Sequence, residues 1–299
     1  MIRATQSLLF AVIYSIYLLV VMLPFQRFVL RPLCTLNPVR RPAILRWWFR
    51  AQADWVLGMA RSLGGLKIEF QGGPLPGIPL ILVMNHQSLL DIPVAVSLLR
   101  GPYPVIPTRA PYTRWIPGIS GIANLGGFPS LKQSGRASRA EHAAIVGAAE
   151  AVGRGERTLI IYPEGHRSKD GEVLPFATQG LRLVFRHAHN RPVYVVVIDG
   201  AWPLRGFTDI AFRVSGQRVR VRVLGPFAVP AGRGDHEAFI DTLRAEMLAT
   251  LDRLRGRETP LGPPASGTSV NSGAPGVAGA RAPLGPRSAS VAPHAPLVG

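Results

Sequence analysis

The chain has 299 residues, 47% of them hydrophobic, and a formal net charge of +17 from 34 basic and 17 acidic side chains. That length and apolar share allow a sizeable buried core and exclude a chain that is disordered throughout. Cys34 is the only cysteine, which excludes an intrachain disulfide and a thiolate metal cluster and fits a reducing compartment.

Residues 4–26 carry no charge, and Leu8 to Leu23 is almost wholly apolar. About 20 such residues in a helix cross a bilayer core. No small-x-small cleavage site follows, so the pattern predicts a retained membrane anchor rather than a removed signal peptide. Downstream come Arg27, Arg31, Arg40, Arg41, Arg46 and Arg50, with no acidic residue before Asp54. The positive-inside rule then places the rest of the chain on the cytoplasmic side, at the cell inner membrane. Residues 42–62 read as an amphipathic helix. Arg46, Arg50 and Asp54 line one face, and Trp48, Ala51, Trp55 and Met59 line another. Such a helix suits a lipid interface, and it equally suits packing on the protein's own core.

A globular body follows. Strand-like runs occur at Leu66–Phe70, Ile78–Met84, Tyr103–Ile106, Thr158–Tyr162, Val193–Ile198 and Val219–Leu224. Helical patterns lie between them at Ile92–Leu99, Arg139–Val152 and Gln179–His187, and a last one covers His236 to Leu254. This alternation predicts an α/β fold with a mixed, mostly parallel sheet flanked by helices. From Pro260 to Gly299 the chain holds eight prolines and seven glycines, a disordered composition. The predicted organisation is 1–62 anchor and interfacial helix, 63–257 α/β domain and 258–299 disordered tail.

Two blocks, 77 positions apart, concentrate the chemistry: Asn85-His86-Gln87-Ser88-Leu89-Leu90-Asp91 and Tyr162-Pro163-Glu164-Gly165-His166-Arg167-Ser168. Each follows an apolar strand, so each presents polar groups at one sheet edge, where open α/β sheets place their ligands. Histidine is a competent general base near neutral pH, and a carboxylate on its second nitrogen fixes the tautomer. On one continuous helix a five-residue spacing would set His86 and Asp91 about 140° apart. With His86 in a turn and Asp91 in the first helical turn, they can converge. In the second block Arg167 offers bidentate phosphate binding, Gly165 close backbone approach, and Glu164 an acceptor for substrate hydroxyls. Ser88 is a weaker candidate for an acyl intermediate. No Gly-x-Ser-x-Gly elbow or P-loop is present.

Taken together, in this order and spacing, the blocks resemble the glycerolipid acyltransferase family, specifically the 1-acylglycerol-3-phosphate acyltransferases. Leu125-Gly126-Gly127-Phe128-Pro129-Ser130-Leu131-Lys132 resembles that family's second block, which ends in a basic residue holding the acceptor phosphate. A one-residue slip would put Gln133 there instead. Phe176 and Gly180 resemble positions after the third block, and Arg191-Pro192-Val193-Tyr194-Val195-Val196 resembles the fourth. The likeness spans about residues 66–225. Departures are Tyr162 where Phe is common, His166 where Thr is common, Lys132 for Arg, and Val195 for a second proline.

The resemblance implies direct acyl transfer from acyl-CoA or acyl-ACP, as co-substrate, to the free hydroxyl of lysophosphatidic acid. His86 is the implied base and Asp91 its orienting acid. Arg167, Lys132 and Arg109 would hold the phosphate, and Glu164 and Gly165 would shape the glycerol site. No metal or bound cofactor is expected. The expected partners are membrane lipids, the lysophospholipid and the acyl donor. The arginine excess also fits a GC-rich genome, and no nucleic-acid module accompanies it, so no nucleic acid is expected as partner. The departures keep a second acceptor open, another lysolipid or an amino-lipid. A basic membrane-bound binding protein with a degenerate site is the rival of a different class.

Overall fold

The computed structural model describes residues 2–114, 116, 118–132 and 138–257. The low-complexity tail, expected to be disordered, and Gln133 lie outside the described residues. The described part belongs to one compact unit, Met1–Thr259.

The first helix, α1, runs Arg3–Leu36. It is α-helical at both ends and wound as π-helix over Tyr17–Met22 and Gln26–Leu30. Residues four apart lie on one side of such a helix. Met22, Gln26, Leu30 and Cys34 accordingly form a buried edge, with Ser7 and Phe10 buried further up. The opposite side exposes Leu8, Val12, Ile16, Leu19, Val20, Phe28 and Leu33.

Helix α2, Arg41–Ser62, starts with Pro42 in its first turn, where a missing N–H costs nothing. Leu45, Phe49, Ala53, Leu57 and Ala60 recur at three- and four-residue spacing and are buried, together with Trp48 and Met59. Of the two expected tryptophans, Trp48 packs inward against Phe25 while Trp55 stays exposed, as does Trp47. One face of α2 thus belongs to the protein's own core.

The main sheet contains β1 (Lys67–Gln71), β2 (Ile81–Met84), β3 (Pro104–Val105), β6 (Thr158–Ile161), β7 (Val193–Asp199) and β8 (Arg218–Phe227). A small second pair joins β4 (Thr108–Arg109) to β5 (Ser130–Leu131). Main-sheet order is β1-β8-β7-β2-β6-β3, parallel at every pairing except β7 with β8. The sheet is therefore mixed and mostly parallel, as the alternation predicts. Ile81–Met84 is shorter than the apolar run that announces it, because Pro79 cannot donate to the ladder.

The central strands are buried on both faces, as parallel sheets require. Parity sorts their side chains. Leu82, Met84, Ile160, Val196 and Ile198 pack toward α1, α2 and α3 (Asp91–Leu98). Ile81, Val83, Leu159, Val195 and Val197 pack on the other face. There they meet α6 (Arg139–Gly153), α7 (Thr178–Ala188) and α9 (His236–Arg255), after α4 (Ala110–Arg114) and α5 (Ile119–Gly126) in chain order. Helix α8, Phe207–Arg213, packs beside α1.

Candidate active site

The parallel register aligns Leu82 with Ile160 and Val83 with Ile161. Continuing the same parity past the strand ends brings His86 and Tyr162 to the α1/α2/α3 side of the sheet. Their rings stack there, with centroids 4.3 Å apart and planes 28° from parallel.

Asn85 begins the turn. Its amide donates to the Ile198 carbonyl at 2.8 Å and accepts from the Ile198 N–H at 2.8 Å, so the side chain extends the ladder where the backbone leaves it. Gln87 does similar work on two loops, donating to the Gly171 carbonyl at 3.0 Å and accepting from the Ala201 N–H at 3.0 Å. Both are fully buried and satisfied, the condition under which buried amides rigidify a site. Two polar residues straight after an all-apolar strand are the signal in the sequence that marks them.

Asp91 starts α3 and is wholly buried. Its Oδ2 accepts from the Gln87 N–H at 2.6 Å and the Ser88 N–H at 2.8 Å, and lies 2.8 Å from His86 Nδ1. One oxygen therefore caps the turn and holds the imidazole at once. With Nδ1 so engaged, Nε2 is the nitrogen left for a substrate in the cavity that His86 lines. His86 is 18% exposed, open to a ligand but largely shielded from water.

That cavity has a volume of about 630 Å³. Its walls are mostly apolar, with Phe10, Tyr14 and Met22 from α1, Phe49 and Ala53 from α2, and Ala123 from α5 among them. Its polar lining includes His86, Arg109, Tyr112, His166 and Arg167. The Arg167 guanidinium donates to the Tyr112 hydroxyl at 3.1 Å and to the Arg205 carbonyl. Tyr112 was not singled out in the sequence, and nothing in its local pattern marks it. Gly165 sits in the left-handed region with φ +67, and no atom comes within 4 Å of a Cβ built there. The left-handed backbone of this turn, and not a lack of room, is what favours glycine there.

Glu164 is placed differently from the expectation. It does not line the cavity, and its carboxylate is turned to the protein's own backbone. Oε1 accepts from the His86 N–H at 2.8 Å and Oε2 from the Leu174 N–H at 2.7 Å. The Ser168 N–H returns a bond to the His86 carbonyl at 2.8 Å, so the two blocks are laced together. Burial raises the Glu164 carboxyl to about 7 against the pull of those two N–H donors.

Lys132 is exposed and outside the cavity lining, while its backbone N–H is held by Glu141. The structure thus joins His86, Asp91, Gly165, Arg167 and Arg109 at one site and leaves the Lys132 side chain out. Ser88 is fully buried, donates to the Leu204 carbonyl and accepts from the Leu90 N–H at 3.1 Å. It is a turn residue with no access to an acyl donor.

A histidine–carboxylate pair whose His86 lines a mostly apolar cavity agrees with comparison to other proteins. The Acyltransferase family model matches residues 67–199. A 1-acyl-sn-glycerol-3-phosphate acyltransferase of Cocos nucifera is 27% identical over 166 residues, covering 56% of this chain and 47% of that protein. The alpha form from Mus musculus is 27% identical over 195 residues, covering 63% and 65%. The chain thus spans about half to two thirds of the length of these relatives. The crystal structure of the 1-acyl-sn-glycerophosphate (LPA) acyltransferase of Thermotoga maritima superposes with a TM-score of 0.64 at 21% identity. It covers 86% of this chain and 98% of that one, a likeness of fold. Through residues 67–199, the chain is similar to the Acyltransferase family.

Proposed function

We propose that this protein is a membrane-associated O-acyltransferase that moves an acyl group from acyl-CoA or acyl-ACP to the free hydroxyl of lysophosphatidic acid, giving phosphatidic acid. The observation that carries the reading is the 2.8 Å pairing of His86 with a buried Asp91, His86 lining a mostly apolar cavity that Arg167 and Arg109 also line. His86 Nε2 takes the hydroxyl proton as the oxygen attacks the thioester carbonyl. The imidazolium, held by Asp91, then protonates the departing thiolate as the carbon–sulfur bond breaks. The amides of His86, Gln87 and Ser88 are committed to Glu164 and Asp91, so the oxyanion must be met by groups elsewhere in the site. The thioester is itself activated, and the reaction needs no resident metal or cofactor.

Arg167 and Arg109 are the phosphate-binding candidates, and the apolar walls suit an acyl chain. Names of the relatives support lysophosphatidic acid as acceptor. Lys132 outside the cavity is the observation favouring a second reading, another lysolipid or an amino-lipid.

Among the described residues, α1 is the one helix long and apolar enough to cross a membrane. Its one buried edge and its apolar exposed side describe an element seated on the domain and facing lipid. The arginines after residue 26 support a domain on the cytoplasmic face of the inner membrane.

The test is purified full-length protein in phospholipid vesicles with labelled acyl-CoA or acyl-ACP and a panel of lysolipids. Turnover of lysophosphatidic acid, abolished in His86→Ala with folding and vesicle binding retained, is the expected result. Turnover of a different lysolipid without lysophosphatidic acid would replace the acceptor. Transfer that survives His86→Ala would remove the base.

A further inference from the structure

Two buried polar atoms beside the candidate base find no hydrogen-bond partner among the described residues: Asp91 Oδ1 and the Tyr162 hydroxyl. They belong to the two residues that hold the His86 ring, one through Nδ1 and one by stacking. The asymmetry on Asp91 is large. Oδ2 receives three donors and Oδ1 none, although the residue is wholly buried. A buried carboxylate oxygen left without a donor is costly, and so is a buried phenol without an acceptor. A water with polar partners on both sides resolves both costs.

We propose that Tyr162 is a positioning residue for the base: its hydroxyl donates, across one bound water, to Asp91 Oδ1, completing a Tyr162–Asp91–His86 hydrogen-bonded chain. The proposal rests on the reading of His86 as the base.

Several observations support the direction of donation. Burial first, and the nearby Asp91 carboxylate second, push the Tyr162 hydroxyl well above its ordinary range, so it keeps its proton at neutral pH. Asp91 in turn lies at the start of α3, where its Oδ2 accepts from the Gln87 and Ser88 N–H groups. A donor on Oδ1 draws charge toward the far oxygen and weakens the carboxylate's hold on the Nδ1 proton. Phenylalanine at 162 would keep the stacking and lose this brake, so tyrosine changes the base without changing the shape around it.

Other charged or titratable groups facing the site are Glu164, whose Oε1 holds the His86 N–H, and His166, Arg167, Arg109 and Tyr112 along the cavity wall. None of them shares an element with Asp91, and all remain in place in a Tyr162→Phe protein.

The experiment compares full-length wild type, Tyr162→Phe, Asp91→Asn and the double variant in detergent micelles. The first readout is the low-field proton resonance of His86 Nδ1–H, assigned by its disappearance in His86→Gln, and it does not depend on turnover. In Tyr162→Phe this proton should move further downfield, and in the Asp91→Asn background the same change should have no effect. The second readout is the acidic limb of the kcat/KM profile, which should move upward by roughly half a pH unit, the scale of one net hydrogen bond felt through one residue. Packing alone moves neither. An unmoved resonance, an upfield shift, or an equal shift in the Asp91→Asn background would overturn the proposal. Should no acceptor be turned over, the base reading fails on the rate data while the resonance still decides whether the chain of hydrogen bonds exists.

Discussion

Asp91→Asn separates the two jobs of the Asp91 carboxylate. Oδ2 meets three N–H groups, from His86, Gln87 and Ser88. An asparagine oxygen in that place keeps all three bonds. An amide nitrogen there would set donor against three donors and lose about 1 kcal/mol for each, about 3 kcal/mol together. The first orientation wins by that margin, so the turn and the imidazole tautomer survive and only the negative charge is removed. A full imidazolium–carboxylate pair at ~4 Å is worth about 4 kcal/mol at an effective dielectric of ~20. The transition state holds only part of that charge, so we expect a loss of about 3 kcal/mol, a fall in kcat of roughly 10²- to 10³-fold. KM for the lysolipid should change little, and the melting temperature should stay within a few degrees. Initial rates with labelled acyl donor, alongside thermal melts, give both numbers. A kcat within about threefold of wild type would refute the reasoning and leave Asp91 as a helix-start residue only.

Glu164→Gln should loosen the clamp between the blocks, since an amide accepts at one end only and one of the two backbone N–H groups loses its partner. For pH, the folded carboxyl lies at about 7 against an ordinary 4.5, so the folded state takes up the proton more readily. That contribution to stability is present below about pH 4.5 and is lost as pH rises through about 7. The melting-temperature advantage of wild type over Glu164→Gln should therefore shrink across that window. Arg167→Ala should raise KM for a phosphate-bearing acceptor by about tenfold or more, and Arg167→Lys should recover only part, because a point charge lacks the planar fork. Competition kinetics between acceptors check this. Ala123→Leu adds bulk to the cavity wall and should shift the preferred acyl donor to shorter chains, read from competition between donors of different length.

Much of the scaffold was readable because parallel sheets advertise themselves. Strands buried on both faces, such as Ile81–Met84 and Val193–Asp199, are unbroken apolar runs, and the helices between them carry clear periodicity. The pairing of His86 with Asp91 was readable for a similar reason, since a strand end followed by a helix start limits where two residues five apart can go. What escaped depends on direction across space. Glu164 and Lys132 sit in suggestive blocks, yet whether a side chain turns to the cavity or to backbone is decided by loops such as the one carrying Leu174. Tyr112 reaches the site from a short helix, 55 positions from the Arg167 it touches. The edge of α1 escaped because Leu8 to Leu23 is almost wholly apolar, so hydrophobicity does not mark which side packs on the domain.

That same edge means the N-terminal segment cannot be treated as a detachable tether. Phe10, Tyr14 and Met22 are part of the wall that encloses the reaction space. Trimming the first 36 residues to obtain a more soluble protein would therefore breach the chamber and let solvent in beside the proposed thioester donor. Solubility and enclosure are set by opposite sides of a single helix, so engineering the first means changing Leu8, Val12 or Leu19 while leaving the inward row untouched.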